Sequence, residues 1–124
     1  MGLSTGRHPI ELIRHELDGM GVSPASDLAG MSDGSWVKVA GMVIVRQRPG
    51  TAKGFYFATL EDETDLSNMV VTPDRFKANR ALLSTEPFLL MEGRLQNRSG
   101  VVSVKASRFG KLSLPLKHRG RNFC

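Results

Sequence analysis

Basic side chains are concentrated in one glycine-containing segment of the chain. Arg46, Arg48 and Lys53 fall between two predicted strands, in a stretch without any acidic residue. Arginine can bind two phosphate oxygens through its planar fork, and lysine supplies a mobile point charge. Gly50 and Gly54 would let the backbone bend close to a bound strand. We therefore expect these cations to contact the phosphates of a nucleic acid; the alternative is a charged surface loop without a ligand.

A second concentration of charge is acidic and follows shortly afterwards, at Glu61, Asp62, Glu63 and Asp65. Mg²⁺ is usually held by one or two carboxylates together with phosphate, so these acids invite comparison with a metal site. We favour a solvated hairpin turn, because an aspartate such as Asp62 can accept hydrogen bonds from turn amides. The histidines are scattered, and no nucleophile stands with a base and an orienting acid. We expect no metal, no cofactor, no small-molecule substrate and no catalysis.

The aromatic triplet at 55–57 could supply a surface on which bases stack. Side chains alternate between the two faces of a strand, so the triplet must divide between core and surface. Tyr56 is the only tyrosine of the chain, and its hydroxyl tolerates water, so we predict that its ring faces outward. If the register is shifted by one residue, Phe55 and Phe57 face outward instead.

Further polar candidates lie on the later predicted strands. Arg94 and Gln96 share one face of the fourth strand, and Arg98 lies in the turn that follows it. Lys105 alternates outward from neighbouring valines on the fifth strand. Asn68 could reach a base edge from the third strand, although a cross-strand hydrogen bond is the commoner fate of such a side chain. We expect these residues to contact nucleic acid; an idle surface position is the alternative for each.

Alternating apolar residues predict five strands. The first begins at Trp36, which is expected to cover the core. Its core face is predicted to carry Val37, Val39, Gly41, Val43 and Val45. The other strands are predicted at 54–60, 66–71, 88–96 and 101–109, with a tight turn at 97–100.

Helical patterns accompany these strands. Pro73 begins a helix after the third strand, with Thr72 as its N-cap. Near the start of the chain, residues 9–17 form an amphipathic helix that ends before Gly19 and Gly21. Five strands with one short helix between the third and fourth is the order of an OB-fold, a mainly β barrel that commonly holds single-stranded nucleic acid.

The net charge of +5 is unevenly distributed. Residues 1–35 carry a net −3, residues 36–96 a net +1 and residues 97–124 a net +7. A basic terminal segment on a near-neutral domain suits a polyanionic partner. The lone cysteine, Cys124, excludes an internal disulfide and a multi-cysteine metal site. No apolar run approaches the ~18 residues of a membrane span, so we expect a cytoplasmic protein without a membrane partner.

These patterns divide the chain into three parts. Residues 1–35 form an N-terminal helical arm, residues 36–110 the OB-fold nucleic-acid-binding domain, and residues 111–124 a basic tail. The arm is net acidic, so it is not expected to bind DNA itself. Its amphipathic segment could instead dock on a neighbouring domain or subunit.

Several motifs resemble one family closely. They are VRQRPGTAKG at 45–54, TLEDET at 59–64, MEGRLQ at 91–96 and VVSVKA at 101–106, preceded by GRHPIELIR at 6–14. Together they are similar to the C-terminal OB domain of bacterial error-prone DNA polymerase, the damage-tolerant relative of the DNA polymerase III alpha subunit. RQRPGTAKG is the specific part of the match. The chain departs from the family at Asp65, where glycine is usual.

The resemblance implies a domain that binds single-stranded DNA and holds the template strand during translesion synthesis. The palm and the catalytic aspartates of the polymerase are absent from this sequence, so no polymerase activity is expected in these residues. Polymerase or repair subunits are the expected protein partners. The alternative function is a protein-interaction OB module that docks on such a partner.

Overall fold

The computed structural model describes residues 8–47 and 54–112 of the chain. Its centre is a closed barrel of five strands in the order β1-β2-β3-β5-β4. Neighbouring strands are antiparallel, except that β3 and β5 pair in parallel. The strands are β1 (Trp36–Gln47), β2 (Tyr56–Glu61), β3 (Leu66–Val71), β4 (Phe88–Arg98) and β5 (Val101–Lys111).

Short helices lie before the barrel and between β3 and β4. They are α1 (Pro9–Leu12), α2 (Arg14–Gly19), a 3₁₀ helix (Ala25–Gly30), α3 (Pro73–Ala78) and α4 (Arg80–Thr85). The predicted OB-fold with an N-terminal helical arm is therefore confirmed. Within the described residues, no helix is long and apolar enough to cross a membrane.

The helical region after β3 differs from its prediction in two details. It divides into α3 and α4 at Asn79, whose φ of −125° and ψ of 24° depart from helical geometry. Thr72 occupies the N-cap position, but its side chain makes no capping hydrogen bond. Phe76 and Leu83 point inward and are buried in the hydrophobic core of the barrel.

The set of alternate side chains of β1 that faces the core changes along the strand. Val37 and Val39 are buried as predicted, but Val45 is 42% exposed, so its predicted core position is wrong. The pairing with β2 shifts register between Val43 and Val45, which leaves Ile44 as an extra residue. A β-bulge of this kind reverses which side chains face inward beyond it.

The N-terminal arm packs on the outside of the barrel. Ile10, Ile13 and Leu17 are buried, as the amphipathic pattern predicts, whereas Leu12 remains 44% exposed. The three buried residues form a second hydrophobic cluster with Ala40 of β1. Ala40 is thus covered from the outer face, and the apolar face of the arm is occupied by the chain's own barrel.

The acidic turn between β2 and β3 is built around one buried carboxylate. Asp62 is only 4% exposed. Its Oδ1 accepts hydrogen bonds from the amides of Thr64 and Asp65 at 2.8 and 3.0 Å, and its Oδ2 accepts from the amide of Ala25 at 2.8 Å. Burial alone would raise the pKa of Asp62, but the hydrogen bonds from Thr64, Ala25 and Asp65 outweigh it, so the pKa lies below its ordinary value. The predicted bonds from turn amides to Asp62 are confirmed, but the expected solvated turn is wrong at this residue, because its carboxylate is buried.

The same turn also anchors the arm. Arg14 of α2 donates to Glu63 through Nε at 2.7 Å and through Nη2 at 2.9 Å, and Nη2 lies 3.1 Å from Oδ2 of Asp62. The hydrogen bond from Arg14 lowers the pKa of Glu63. The bonds of Arg14 with Glu63 and Asp62 therefore form a clamp that holds the arm against the hairpin turn.

Asp65 fits this turn without a left-handed backbone. Among the described residues, the only non-glycine residue with positive φ is Ser99. The amide of Asp62 donates to the Asp65 carbonyl at 3.1 Å, and the Asp65 amide returns a bond to the Asp62 side chain. Because φ is not positive here, the turn does not require the glycine that is usual at this position.

Candidate nucleic-acid interface

An open groove of about 570 Å³ lies on the surface of the barrel. It is bounded by the start of β1, the second half of β4, the first half of β5 and the start of α3. Four of the predicted contact residues line it: Arg94, Gln96, Arg98 and Lys105. Trp36 and Arg75 line it as well.

Strand register fixes the centre of the groove. Arg94 of β4 lies directly opposite Trp36 of β1 on one side and Lys105 of β5 on the other. Directly opposed residues point to the same face of a sheet, and all three are exposed on the outside of the barrel. The result is an aromatic and basic row that runs across three strands.

Contacts with the backbone hold the groove residues in place. Nη1 of Arg94 donates to the Gly34 carbonyl at 3.0 Å, and its guanidinium carbon lies 6.0 Å from the centre of the Trp36 ring. Nη1 of Arg75 donates to the Ser107 carbonyl at 3.2 Å. These bonds use only part of each guanidinium's five N–H groups, which leaves donors for a ligand.

Cations outnumber acids along this groove. Arg75, Arg94, Arg98 and Lys105 contribute positive charge, against Asp33 and Asp74. Oδ1 of Asp33 accepts the amide hydrogen of Asn97 at 2.9 Å and so braces the end of β4. The balance favours an anionic ligand such as a phosphate backbone.

A smaller groove of about 200 Å³ lies on the outer face of β1, β2 and β3. Phe57 and Asn68 line it. Oγ1 of Thr59 donates to Oδ1 of Asn68 at 3.2 Å, which is the cross-strand bond that was the alternative for this asparagine. Val70 joins the two grooves, because it lines the second groove and pairs directly with Lys105 of the first.

The predicted outward position of Tyr56 is wrong. Its side chain is 2% exposed, its ring stacks on Phe76 with centres 5.0 Å apart, and its hydroxyl donates to the Leu83 carbonyl at 2.8 Å. Burial raises the pKa of Tyr56, although Arg46 opposes the shift. The shifted register describes the strand instead: Phe55 and Phe57 are half-buried, with ring centres 6.5 Å apart.

The guanidinium of Arg46 donates hydrogen bonds to backbone carbonyls of the domain itself. Its Nε donates to the Leu83 carbonyl at 2.9 Å, and its Nη2 donates to the Glu86 carbonyl. A guanidinium in this position satisfies carbonyls left unpaired at the end of α4. Arg48 and Lys53 lie outside the described residues, and their phosphate contacts stay predictions.

Sequence reasoning missed Trp36 and Arg75 as groove residues. Trp36 was expected to cover the core but is 49% exposed, and its Nε1 donates to Glu92 at 3.2 Å. Strand parity was the available signal, since Trp36 alternates with the buried Val37. Arg75 enters the groove through α3, whose position on the barrel is not encoded locally.

No group of three or more potential metal ligands converges among the residues that the structure describes. The geometry instead combines guanidinium and ammonium groups, an amide and an exposed indole on a barrel surface. The model of the OB-fold nucleic acid binding domain family matches residues 37–112. The chain belongs to this family.

Curated relatives refine that assignment. The chain is 44% identical over 122 residues to the error-prone DNA polymerase of Mycolicibacterium paratuberculosis. The aligned region covers 98% of the chain and 11% of the polymerase. It is 50% identical over 114 residues to the error-prone DNA polymerase of Caulobacter vibrioides, covering 92% of the chain and 10% of the polymerase. The resemblance predicted from the motifs is confirmed, and this OB-fold domain spans about a tenth of the length of these relatives.

Solved structures share the fold at low identity. Asparaginyl-tRNA synthetase from Pyrococcus horikoshii superimposes with a TM-score of 0.61 at 18% identity, over 75% of this chain and 22% of the synthetase. OBody AM1L10, solved bound to hen egg-white lysozyme, gives a TM-score of 0.60 at 20% identity, over 75% of this chain and 94% of the OBody. These likenesses support the OB-fold architecture.

Proposed function

We propose that this OB-fold domain binds single-stranded DNA across the groove of β1, β4 and β5. The observation that carries the proposal is the convergence of Arg94, Gln96, Arg98 and Lys105 on one open surface. These residues come from two strands, with Arg98 at the end of β4 and not in the turn as predicted, yet all border the same groove. Their side chains suit phosphates and base edges, whereas an open polar groove suits a small apolar ligand poorly.

The residues of the two grooves offer two kinds of contact, one with phosphates and one with base edges. Arg98 and Lys105 are exposed, and each can neutralise a phosphate. Gln96 is half-buried and offers both a donor and an acceptor to a base edge. Asn68 can do the same on the neighbouring groove, through the part of its amide not engaged by Thr59.

The relatives suggest the biological role. In an error-prone polymerase, a domain of this kind would hold the template strand during translesion synthesis. We propose that role for this chain, without catalytic activity, metal or cofactor of its own. Polymerase or repair subunits would then be its neighbours.

The alternative of a protein-interaction module has weaker support. Its main argument is the amphipathic segment 9–17, which could dock on another protein. Ile10, Ile13 and Leu17 of that segment are buried against the barrel instead. A pull-down of a polymerase or repair subunit that survives nuclease treatment would favour this alternative.

A fluorescence-polarisation titration tests DNA binding directly. A labelled twelve-nucleotide oligothymidylate should bind with micromolar or tighter affinity at low salt, and the logarithm of the association constant should fall linearly with the logarithm of salt concentration. Arg98→Ala and Lys105→Ala should each weaken binding and reduce the magnitude of that slope by about 1. Lys77→Ala is the matched control, because Lys77 is exposed on α3 and does not line the groove. Absence of binding at low salt would refute the proposal.

A further inference from the structure

Trp36 is a large apolar side chain that the barrel core does not use. It is 49% exposed at the first position of β1. Its only hydrogen-bonding group, Nε1, already donates to Oε1 of Glu92 at 3.2 Å. What the side chain offers to a ligand is therefore the face and edge of an aromatic ring.

The ring is held in a defined orientation. The bond from Nε1 to Glu92 fixes its polar edge, and the Arg94 guanidinium lies 6.0 Å from its centre. Arg94 is itself fixed by its bond to the Gly34 carbonyl. A ring ordered in this way loses little conformational entropy when a ligand stacks on it.

Strand register places Trp36 at one end of a continuous row around the barrel. The directly paired positions are Trp36 with Arg94, Arg94 with Lys105, Lys105 with Val70, and Val70 with Phe57. Four strand spacings separate the two aromatic ends, or about 19 Å. At about 3.4 Å per stacked nucleotide, this distance accommodates roughly six nucleotides.

We propose that Trp36 is a base-stacking platform at one end of this row, and that Phe57 marks the other. The inference rests on the proposed function and adds the path and extent of the bound strand. Arg94 and Lys105 lie between the aromatic ends, where they contact the phosphates that join the stacked bases. The strand thus crosses β1, β4, β5, β3 and β2 instead of following one of them.

The polar surroundings favour a nucleobase over an apolar protein segment. Trp36 borders a groove with four cationic side chains and two acidic ones. A docking protein would have to desolvate those charges, whereas a nucleic-acid strand neutralises them with phosphates while its bases use the ring. Indole rings stack on any base, so this platform does not require a particular sequence.

The chain contains one tryptophan, so tryptophan fluorescence, excited selectively to avoid Tyr56, reports on this position alone. Titration with unlabelled oligothymidylate should quench the Trp36 emission, and the quenching should saturate along the same isotherm as fluorescence polarisation. Affinity should rise steeply with oligonucleotide length up to about six nucleotides and slowly beyond it.

Substitutions separate stacking from charge. Trp36→Ala should weaken binding of a twelve-nucleotide strand by about 5- to 100-fold, with an unchanged salt slope, because no phosphate contact is lost. Trp36→Phe should recover most of the affinity, since it retains an aromatic face. Leu12→Ala is the control, because Leu12 is a similarly exposed apolar residue at 44%, on the arm. Circular dichroism and urea unfolding should show that each variant is folded.

The outcomes distinguish this inference from the function on which it rests. If the wild-type domain binds DNA by polarisation, but Trp36 fluorescence does not change and Trp36→Ala binds normally, the platform is refuted and the proposed function stands. If Trp36→Phe is as weak as Trp36→Ala, stacking is refuted as the reason for the loss. If the wild-type domain does not bind DNA at low salt, both proposals fail.

Discussion

Arg14 of α2 reaches across to the β2–β3 turn and forms a two-pronged pair with Glu63, with Nε 2.7 Å from Oε2 and Nη2 2.9 Å from Oε1. The same Nη2 lies 3.1 Å from the buried carboxylate of Asp62. The Arg14 side chain is 14% exposed, and those of Glu63 and Asp62 are 17% and 1% exposed. This relationship ties the arm to the barrel through charged side chains, in addition to the hydrophobic contacts of Ile10, Ile13 and Leu17.

Removing this arginine should destabilise the domain. Arg14→Ala leaves two poorly hydrated carboxylates without their cation, and we expect the free energy of unfolding to fall by about 2–4 kcal/mol. Arg14→Lys should lose less, because the charge remains although the fork geometry is lost. Urea unfolding followed by circular dichroism measures both. Arg108→Ala is the control, since Arg108 is an exposed arginine of β5; an equal loss in that variant would contradict the clamp.

Lowering the pH should weaken the same clamp, because it protonates the carboxylates of Asp62 and Glu63. The pKa values of Asp62 and Glu63 lie below their ordinary values, which are about 3.9 and 4.3. Groups with lowered pKa values in the folded state stabilise it above those ordinary values, and lose this contribution as the pH falls through the lowered values. We expect the free energy of unfolding to change little between about pH 7 and 5 and to decline below about pH 4.

Urea unfolding at stepped pH measures this decline, and Arg14→Ala sharpens its interpretation. Without the arginine, the pKa of Glu63 should return toward its ordinary value, so the decline in acid should be shallower than in the wild type. An identical pH profile in the two proteins would show that the clamp does not account for the acid sensitivity.

Two glycines of neighbouring strands should respond in opposite ways to the same substitution. A Cβ at Gly93 would lie 2.0 Å from the Lys105 carbonyl oxygen and 2.7 Å from Cα of Ala106, whereas one at Gly110 would have no neighbour within 4 Å. Gly93→Ala should therefore cost about 3 kcal/mol or more, because backbone must move. Gly110→Ala should be neutral or stabilise the domain by up to about 1 kcal/mol. Thermal unfolding of the pair gives the comparison, and similar melting temperatures would refute the close approach.

Much of the barrel can be predicted because its strands repeat a local pattern. The third strand was predicted at 66–71 and is Leu66–Val71 in the structure. The predicted turn at 97–100 centres on Ser99 and Gly100, whose φ values of 55° and 85° are typical of a two-residue hairpin turn. In both cases the information lies within a few neighbouring residues.

The errors arise where a partner strand decides the outcome. Ile44 is an extra residue because β1 must change register against β2. A second shift, between Glu92 and Gly93, leaves Ser107 of β5 unpaired, and the Ser107 carbonyl accepts a bond from Arg75 in the groove. A single sequence does not encode such shifts locally, so the composition of the candidate groove could be predicted only in part.

Arg46 makes contacts that its neighbours in the sequence do not predict, and its structural role can be tested separately from phosphate binding. It was predicted to contact phosphate, but Nε of Arg46 and the hydroxyl of Tyr56 donate to the same carbonyl, that of Leu83, at 2.9 and 2.8 Å. We expect Arg46→Ala to lower the free energy of unfolding by about 1–2 kcal/mol and Tyr56→Phe by about 1 kcal/mol. The double variant should lose more than the sum, because each single variant keeps one donor to the Leu83 carbonyl and the double variant leaves that carbonyl without either.

Oligonucleotide binding completes the comparison. If Arg46 acts through α4, Arg46→Ala should leave the salt dependence of DNA binding unchanged while reducing stability. If it acts on phosphate, the slope should decrease in magnitude by about 1 while the free energy of unfolding stays within about 0.5 kcal/mol of the wild type. We expect the first result, because two of the Arg46 guanidinium nitrogens already donate to carbonyls at the end of α4.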